Sequence, residues 1–239
     1  MPYSENAAIY DTLDVANQNL RQVCRGSASP ARDVLATVIK NYRCPSSDGP
    51  ETYSWENKNG ETVTYGTSNY VGCHGYGQCG NDAPHQNGAI NKTGVGFQEI
   101  TDGLSNTYAV GEVSFGRHGW RPSGTNQARD YAFWCGVPDN VKNYSVEWAT
   151  MLARAGAYPI NYNGDFAFLS IHPGGGNFLF CDGSVHFMAE TMSSDKNGVP
   201  NGWFNQGDFL NKYKAPGAVE GMGAMQHLAV RDDGQPVSF

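Results

Sequence analysis

The sequence is poor in charged residues and contains no long run of apolar residues. Asp, Glu, Lys and Arg make up only 16% of the 239 residues, and hydrophobic residues make up 39%. The 16 basic residues are outnumbered by 23 acidic ones, and they form no basic cluster that would bind nucleic acid. No apolar stretch approaches the roughly 20 residues of a membrane-spanning helix, and no signal-peptide core is present. We therefore expect neither a nucleic-acid partner nor membrane insertion of this chain.

Motifs of common enzyme classes are also missing. The sequence has no Gly-x-Ser-x-Gly nucleophile elbow, no Gly-rich phosphate loop followed by Lys-Ser/Thr, and no helical His-Glu-x-x-His. We therefore predict that the protein is not an enzyme. A glycan hydrolase that uses Glu112 and Asp182 as paired carboxylates is the catalytic alternative.

Glycine and proline are abundant, with 30 and 12 residues, and this composition favours turns and long loops. We expect one domain over 1–239, in three consecutive parts: a helical N-terminal part (1–47), a β-sheet part with long loop insertions (48–190) and an irregular C-terminal tail (191–239). Hydrophobic periodicity and capping residues predict helices at 4–23, 31–39 and 146–154. Residue alternation predicts strands near 62–65, 68–71 and 107–113.

Three short β-rich runs lie close together between Phe166 and Met188. A Gly-rich loop that starts at His172 and a turn that starts at Asp182 separate the runs, a pattern typical of an antiparallel meander. We expect the imidazole of His172 to hydrogen-bond loop backbone opposite Asp182 and to hold the turn in register. A metal-binding or ligand-binding role for His172 is the alternative.

Five short motifs occur in order along the chain. They are Pro2-Tyr3-x-Glu5, Cys44-Pro45-Ser46, Asn69-Tyr70-x-Gly72, the block from Thr101-Asp102-Gly103 to Gly111-Glu112, and His172-x9-Asp182-Gly183. In this order they resemble a family of pilin-like proteins known as domain of unknown function 1559, or solute-binding protein family 10. The resemblance extends from the first residue to about Glu190.

The resemblance implies a pilin-like α+β fold, in which an N-terminal helix packs on an antiparallel β-sheet with long disulfide-tied loops. It also implies a non-catalytic, exported protein that is either a surface subunit similar to type II secretion pseudopilins or a solute-binding module. Full-length members begin with a basic leader and an apolar helix, and neither precedes Pro2-Tyr3 here. We expect that this helix has been removed, with a natural helix-free variant as the alternative. The helix would anchor an extracytoplasmic protein, in the periplasm or at the cell surface, and would pack against other pilin-like subunits.

The six cysteines are expected to be oxidised, because the resembling family is exported and the count is even. Several connectivities are compatible with the sequence, and the simplest set is Cys73–Cys79, Cys24–Cys44 and Cys135–Cys181. The alternative is a zinc site made of Cys73, His74, Cys79 and His85.

Acidic residues in the motifs suggest a cation site. Glu112 ends an apolar run, where a buried carboxylate needs a partner. With Asp102 and Asp182, it could supply hard oxygen ligands to calcium. Pseudopilins commonly bind calcium in a C-terminal β loop, and this analogy supports the prediction.

Aromatic residues are frequent in the polar loops. Flat rings beside amides and carboxylates are typical of surfaces that bind sugars. The candidate ligand-binding residues are Trp55, Tyr70, Tyr76, Trp120, Trp203 and His172. The alternative is that these rings bury loops in a protein with few aliphatic residues. The predicted partner is therefore a glycan or small solute, with calcium as the only expected cofactor.

Overall fold

The fold was analysed in a computed structural model of the chain. The structure describes residues 6–57, 59–76, 87–91, 94–114, 132–136, 153–154, 158–162, 167–198, 217, 219–235 and 237. Among these residues, none belongs to a helix of the length and apolarity needed to cross a membrane.

Three short helices come before the first strand: α1 (Ala7–Leu13), α2 (Leu20–Arg25) and α3 (Pro30–Asp33). The expected helix over 4–23 is divided in two, because Asp14 adopts a left-handed conformation (φ 46°) that ends α1. Asn19 then starts α2 through a capping box with Gln22. Likewise, α3 begins after a Ser29 cap with Pro30 in its first turn, and it is shorter than the predicted helix over 31–39.

The helices pack on a small antiparallel sheet in the order β1-β2-β5. Its strands are β1 (Thr52–Glu56), β2 (Thr62–Ser68) and β5 (Ala132–Phe133). Buried side chains of the helical part join those of β2 and β5 in one apolar cluster, formed by Val23, Cys24, Ala31, Leu35, Val63, Tyr65 and Phe133. The hydrophobic effect thus holds the N-terminal helices against this sheet.

A larger sheet has five strands in the order β6-β3-β4-β7-β8. The strands are β3 (Tyr70–Cys73), β4 (Tyr108–Glu112), β6 (Ala153–Arg154), β7 (Gly175–Phe180) and β8 (Val185–Ala189). All neighbours pair antiparallel except β3 and β6, which are parallel. Short helices and two sheets in which most neighbouring strands are antiparallel confirm the predicted α+β class. The predicted helix over 146–154 is wrong at its end, because Ala153–Arg154 pairs with β3, and its remaining residues lie outside the described part of the chain.

Aromatic rings form the core of the larger sheet. Tyr108 of β4 packs edge-to-face on Phe168 at 5.6 Å and on Phe178 at 5.0 Å between ring centroids. A last helix, α4 (Ala224–Ala229), adds Met225 and Leu228 to this core. The prediction of an irregular tail over 191–239 is therefore wrong for α4. Its six residues are too few to show a helical period, and tertiary packing stabilises them.

The β-rich runs form one hairpin, with β7 and β8 joined by the Asp182 turn. The first expected run forms no strand within its described residues, 167–169. The loop containing His172 therefore leads into β7, and β7 separates His172 from Asp182. The expectation that His172 lies opposite Asp182 across a turn is wrong, because the spacing between them is the length of a strand.

The expected disulfide-tied loops are not formed between the described cysteines. Cys44, Cys135 and Cys181 are thiols, so the pairs Cys24–Cys44 and Cys135–Cys181 are wrong. Cys135 follows β5 of the small sheet and Cys181 follows β7 of the larger sheet, so that pair would join two different sheets. Cys79 and His85 lie outside the described residues. The Cys73–Cys79 pair and the alternative zinc site each include one or both of these residues.

Candidate functional site

Four of the sequence motifs meet at one place in the fold. Cys44 comes from the Cys-Pro-Ser motif, Tyr70 from Asn-Tyr-x-Gly, Glu112 from Gly-Glu, and His172 from the C-terminal motif. We call these four residues the motif centre. Cys44 and His172 are 128 positions apart in the sequence, yet their side chains are in contact.

The side chains of Cys44, Glu112 and His172 converge on a single point. The imidazole Nε2 lies 3.5 Å from the Cys44 Sγ and 3.4 Å from the Glu112 Oε1. The three possible ligand atoms all lie within 4.8 Å of one another. A thiol–imidazole–carboxylate relay would use both ring nitrogens, one for the nucleophile and one for the carboxylate. Here both groups face the same nitrogen, so the arrangement is not such a relay.

Glu112 is held at the end of β4 by the neighbouring strand β7. Its carboxylate accepts hydrogen bonds from the Asn177 backbone N–H at 3.1 Å and from the Asn177 side-chain amide at 3.0 Å. A Cβ at Gly176 would lie 3.2 Å from the Glu112 Oε2 and 2.9 Å from the Ser170 Cβ. Because Gly176 has no side chain, β7 can approach the buried Glu112 carboxylate closely.

Asn69 positions Cys44 in the centre. Its side-chain oxygen accepts the Cys44 backbone N–H at 3.0 Å. Its amide nitrogen donates to the Val113 carbonyl at 3.0 Å and to the Ser47 hydroxyl at 3.1 Å. One buried asparagine therefore connects the Cys-Pro-Ser loop to the end of β4.

The His172 loop runs beside the end of β4 as well. The Leu169 N–H donates to the Glu112 carbonyl at 2.9 Å, and the His172 N–H donates to the Ser170 hydroxyl at 3.1 Å. The His172 side chain is 28% exposed, whereas that of Glu112 is 5% exposed, so the centre opens to solvent on the histidine side.

Tyr70 completes the centre. It pairs with Glu112 between β3 and β4. Burial, followed by electrostatic interactions with Cys44 and Glu112, raises the pKa of the Tyr70 hydroxyl above its usual value. The hydroxyl therefore stays protonated at neutral pH and can donate a hydrogen bond.

The structure does not bring the three carboxylates predicted to bind calcium into one group. Asp102 accepts the backbone N–H groups of Asp233 at 2.7 Å and Gly234 at 2.9 Å. Asp182 accepts the Ser184 hydroxyl and backbone N–H, and the hydroxyl bond is the main reason that its pKa is lowered. Asp102 and Asp182 both lie near the start of β4, whereas Glu112 is the last residue of this strand. Among the described residues, the one set of three potential metal ligands is Cys44, Glu112 and His172.

The aromatic ligand candidates are placed in different parts of the molecule. Tyr70 lies at the motif centre, whereas the Tyr76 side chain is fully buried and presents no ring face to solvent. The structure describes Trp55 only as a backbone position in β1. Trp120 and Trp203 lie outside the described residues.

Sequence reasoning singled out Glu112, Tyr70 and His172 but missed the part played by Cys44. The even cysteine count favoured a disulfide for Cys44, and no spacing rule links it to His172. The signal that could have found it is its place in a motif, because the Cys-Pro-Ser step accompanies the Gly-Glu and His motifs.

Comparison with known proteins supports the motif analysis. Residues 1–195 match the profile of the family SBP_bac_10, described as protein of unknown function (DUF1559). No curated protein and no solved structure matches the chain. Because the matched residues cover more than half of the sequence, the chain belongs to the DUF1559 family.

Proposed function

We propose that this protein is a non-catalytic, extracytoplasmic binding module that takes a small solute at the motif centre. The observation that carries the proposal is the convergence of Cys44, Tyr70, Glu112 and His172 from four separate motifs. The family's solute-binding label agrees with it. A small number of convergent polar groups is typical of sites that fix the orientation of a small ligand.

The burial pattern supports a binding role for the centre. Glu112 is 4% exposed and is polarised by Asn177, whereas His172 faces solvent beside it. The Glu112 carboxylate already accepts two hydrogen bonds from Asn177, which meet part of its hydrogen-bonding capacity within the sheet. The Glu112 carboxylate also faces the partly exposed imidazole of His172, so a ligand could reach it from the histidine side.

The pilin-like part of the proposal rests on family membership and on the helix–sheet packing. An apolar helix of the kind that the family resemblance implies would anchor such a module or pack it into an assembly of similar subunits. The packing of α1–α3 on the small sheet supports a globular head on such a helix.

The spacing of the acidic groups supports a non-catalytic role. Glu112 ends β4, and Asp182 follows the far end of β7, so the two carboxylates are separated by about five strand residues, or roughly 16 Å. Paired carboxylates that cleave glycosidic bonds lie within about 5–10 Å of each other. Glu112 and Asp182 are therefore poorly placed to act together on one glycosidic bond.

Thermal unfolding in the presence of solute panels tests the proposal. The panels contain glycans and small organic acids, each measured with chelator, with Ca²⁺ and with Zn²⁺. We expect at least one solute to raise the melting temperature of the native chain, because a ligand that binds only the folded state stabilises it by mass action. The same solute should not stabilise the His172→Ala variant.

His186→Ala is the matched control. This histidine is exposed on β8, close to the Asp182 turn and on the other end of the hairpin. Its variant should retain the response to the solute. If both histidine variants respond equally to the solute, the binding site is not the motif centre. If the native chain responds to no solute, the binding role is wrong.

A further inference from the structure

We infer that the motif centre binds a divalent transition metal ion of the zinc type through Cys44, Glu112 and His172. The inference rests on the proposed function, because it assigns a chemical class of ligand to the same centre. It differs from the calcium site expected from Asp102, Glu112 and Asp182, and it retains only Glu112 from that set.

Two of the three ligand separations match tetrahedral coordination, and the third pair, Cys44 Sγ and Glu112 Oε1, lies within 4.8 Å. With metal–sulfur bonds of about 2.3 Å and metal–nitrogen and metal–oxygen bonds of about 2.1 Å, tetrahedral angles separate sulfur from nitrogen by about 3.6 Å and nitrogen from oxygen by about 3.4 Å. The corresponding separations are 3.5 Å for Cys44 Sγ to His172 Nε2 and 3.4 Å for His172 Nε2 to Glu112 Oε1.

Hydrogen bonding explains one of the two contacts but not the other. The 3.5 Å separation of Cys44 Sγ and His172 Nε2 is that of a hydrogen bond involving sulfur. A charge-assisted bond from a histidine to a carboxylate is about 2.7–2.9 Å long, and the observed separation is 3.4 Å. A single imidazole N–H also cannot point at a sulfur and at an oxygen with good angles. The imidazole and the carboxylate therefore face each other without a short hydrogen bond, as two ligands of one metal ion do.

The donor set selects the kind of metal. Calcium and magnesium prefer oxygen ligands alone, whereas zinc accepts thiolate, imidazole and carboxylate together. The Cys44 thiolate and the Glu112 carboxylate would balance the two charges of the ion, so the bound centre would be neutral.

Neighbouring residues orient the ligands in the way that supporting residues do in metal sites. Asn177 fixes the Glu112 carboxylate with two hydrogen bonds, and Asn69 fixes the backbone of Cys44. Three protein ligands leave one tetrahedral position open, on the exposed side of His172. A solute with an oxygen or nitrogen donor could occupy this position, near the Tyr70 hydroxyl.

Titration of Zn²⁺ and Co²⁺ into reduced, chelator-treated protein tests the inference. We expect one ion per chain and a thiolate-to-cobalt charge-transfer absorption. Cys44→Ser should abolish this absorption, and His172→Gln and Glu112→Gln should each weaken zinc binding at least tenfold. The matched control is Cys181→Ser, which removes another thiol of the described chain and should leave both readouts unchanged.

Circular dichroism and unfolding with chelator present establish that each variant folds. If Cys44→Ser does not fold, Glu112→Gln carries the test, because glutamine preserves the volume of the buried side chain. Unchanged zinc affinity in folded His172→Gln or Glu112→Gln overturns the inference. A lack of cobalt absorption in the reduced native chain overturns it as well.

The two proposals fail in different ways. An organic solute that stabilises the native chain in chelator, but not the His172→Ala variant, supports the binding module and contradicts the need for a metal. Zinc binding that depends on Cys44, without a response to any organic solute, supports the metal site and contradicts the solute-binding role.

Discussion

At the scale of single residues, Asp102 shows what a buried carboxylate does away from the motif centre. It is 9% exposed, and its two oxygens accept backbone N–H groups of Asp233 and Gly234. The carboxylate thereby ties the C-terminal tail to the turn before β4. This role requires two acceptor atoms and no metal ion.

The first prediction concerns this tie. Asp102→Asn should lower the free energy of unfolding by about 1–3 kcal/mol, because an amide replaces one acceptor with a donor and leaves a backbone N–H unsatisfied. The measurement is urea unfolding at neutral pH. Glu51→Gln, at an exposed site, should change stability by less than about 0.5 kcal/mol. An equal effect of both variants would contradict the role of Asp102.

Asp233 leads to the second prediction, which concerns pH. Its side chain is 1% exposed and lies 2.9 Å from the His227 Nδ1. Burial raises the pKa of the Asp233 carboxyl to about 6, although the hydrogen bond with His227 acts in the opposite direction. The ordinary pKa in the unfolded chain is about 3.9, so the folded protein holds the extra proton between these two values.

Stability should therefore fall as the pH rises from about 4 to about 6 and should then level off. After allowance for solvent screening, we expect a loss of about 1–2 kcal/mol from this group. Asp233→Asn should flatten the profile over this range, as measured by urea unfolding in steps of pH. A native profile that rises with pH here, and that the variant leaves unchanged, would contradict the assignment.

At the scale of elements, strand β7 links the two ends of the C-terminal motif. Gly175 and Gly176 begin β7, and each lies where a side chain would meet another part of the fold. A Cβ at Gly175 would collide with the Met188 carbonyl of β8, and one at Gly176 would press on Ser170 and Glu112. The glycines thus permit close approach of backbone at the strand that supports the centre.

The third prediction compares Gly176, in β7, with Gly174, in the loop just before β7. Gly176→Ala should cost about 1–3 kcal/mol of stability through overpacking, and it should weaken zinc binding by displacing Glu112. Gly174→Ala should cost about 1 kcal/mol, because its φ is +83° but no atom lies within 4 Å of the added Cβ. Zinc binding should persist in that variant. Urea unfolding and zinc titration separate the two effects, and loss of binding in both variants would contradict the contact.

The elements also show how far the sequence could predict the structure. Strands β2 and β4 lie close to their expected positions, because alternation is a local signal. The division between α1 and α2 depends on the conformation of Asp14, which helical periodicity does not report. The place of Cys44 in the motif centre depends on contacts between segments far apart in the sequence, so residue spacing alone could not predict it.

At the scale of the whole molecule, apolar clusters of described residues stabilise each sheet without a disulfide between the described cysteines. A chain of 239 residues can bury a sufficient core, unlike small secreted domains that depend on disulfides. The thiol of Cys44 is also needed in reduced form if it is to bind a metal.

The fourth prediction follows for the thiols. Alkylation of unfolded protein without reductant, followed by peptide mass spectrometry, should find Cys44, Cys135 and Cys181 modified. In the folded protein Cys181 should react slowly, because burial, followed by the charge of Asp182, raises its pKa to about 11. A disulfide-linked peptide that contains Cys44 or Cys181 would contradict the prediction.

Helix α4 has a consequence for where this protein can be divided. The family match ends at residue 195, but Met225 and Leu228 complete the core of the larger sheet, and Asp102 is bonded to residues 233 and 234. A recombinant fragment that stopped at residue 195 would expose apolar core surface to water and promote aggregation. The segment that sequence comparison recognises is thus shorter than the unit that folds, and boundaries for expression or domain transplantation should include residues 219–235.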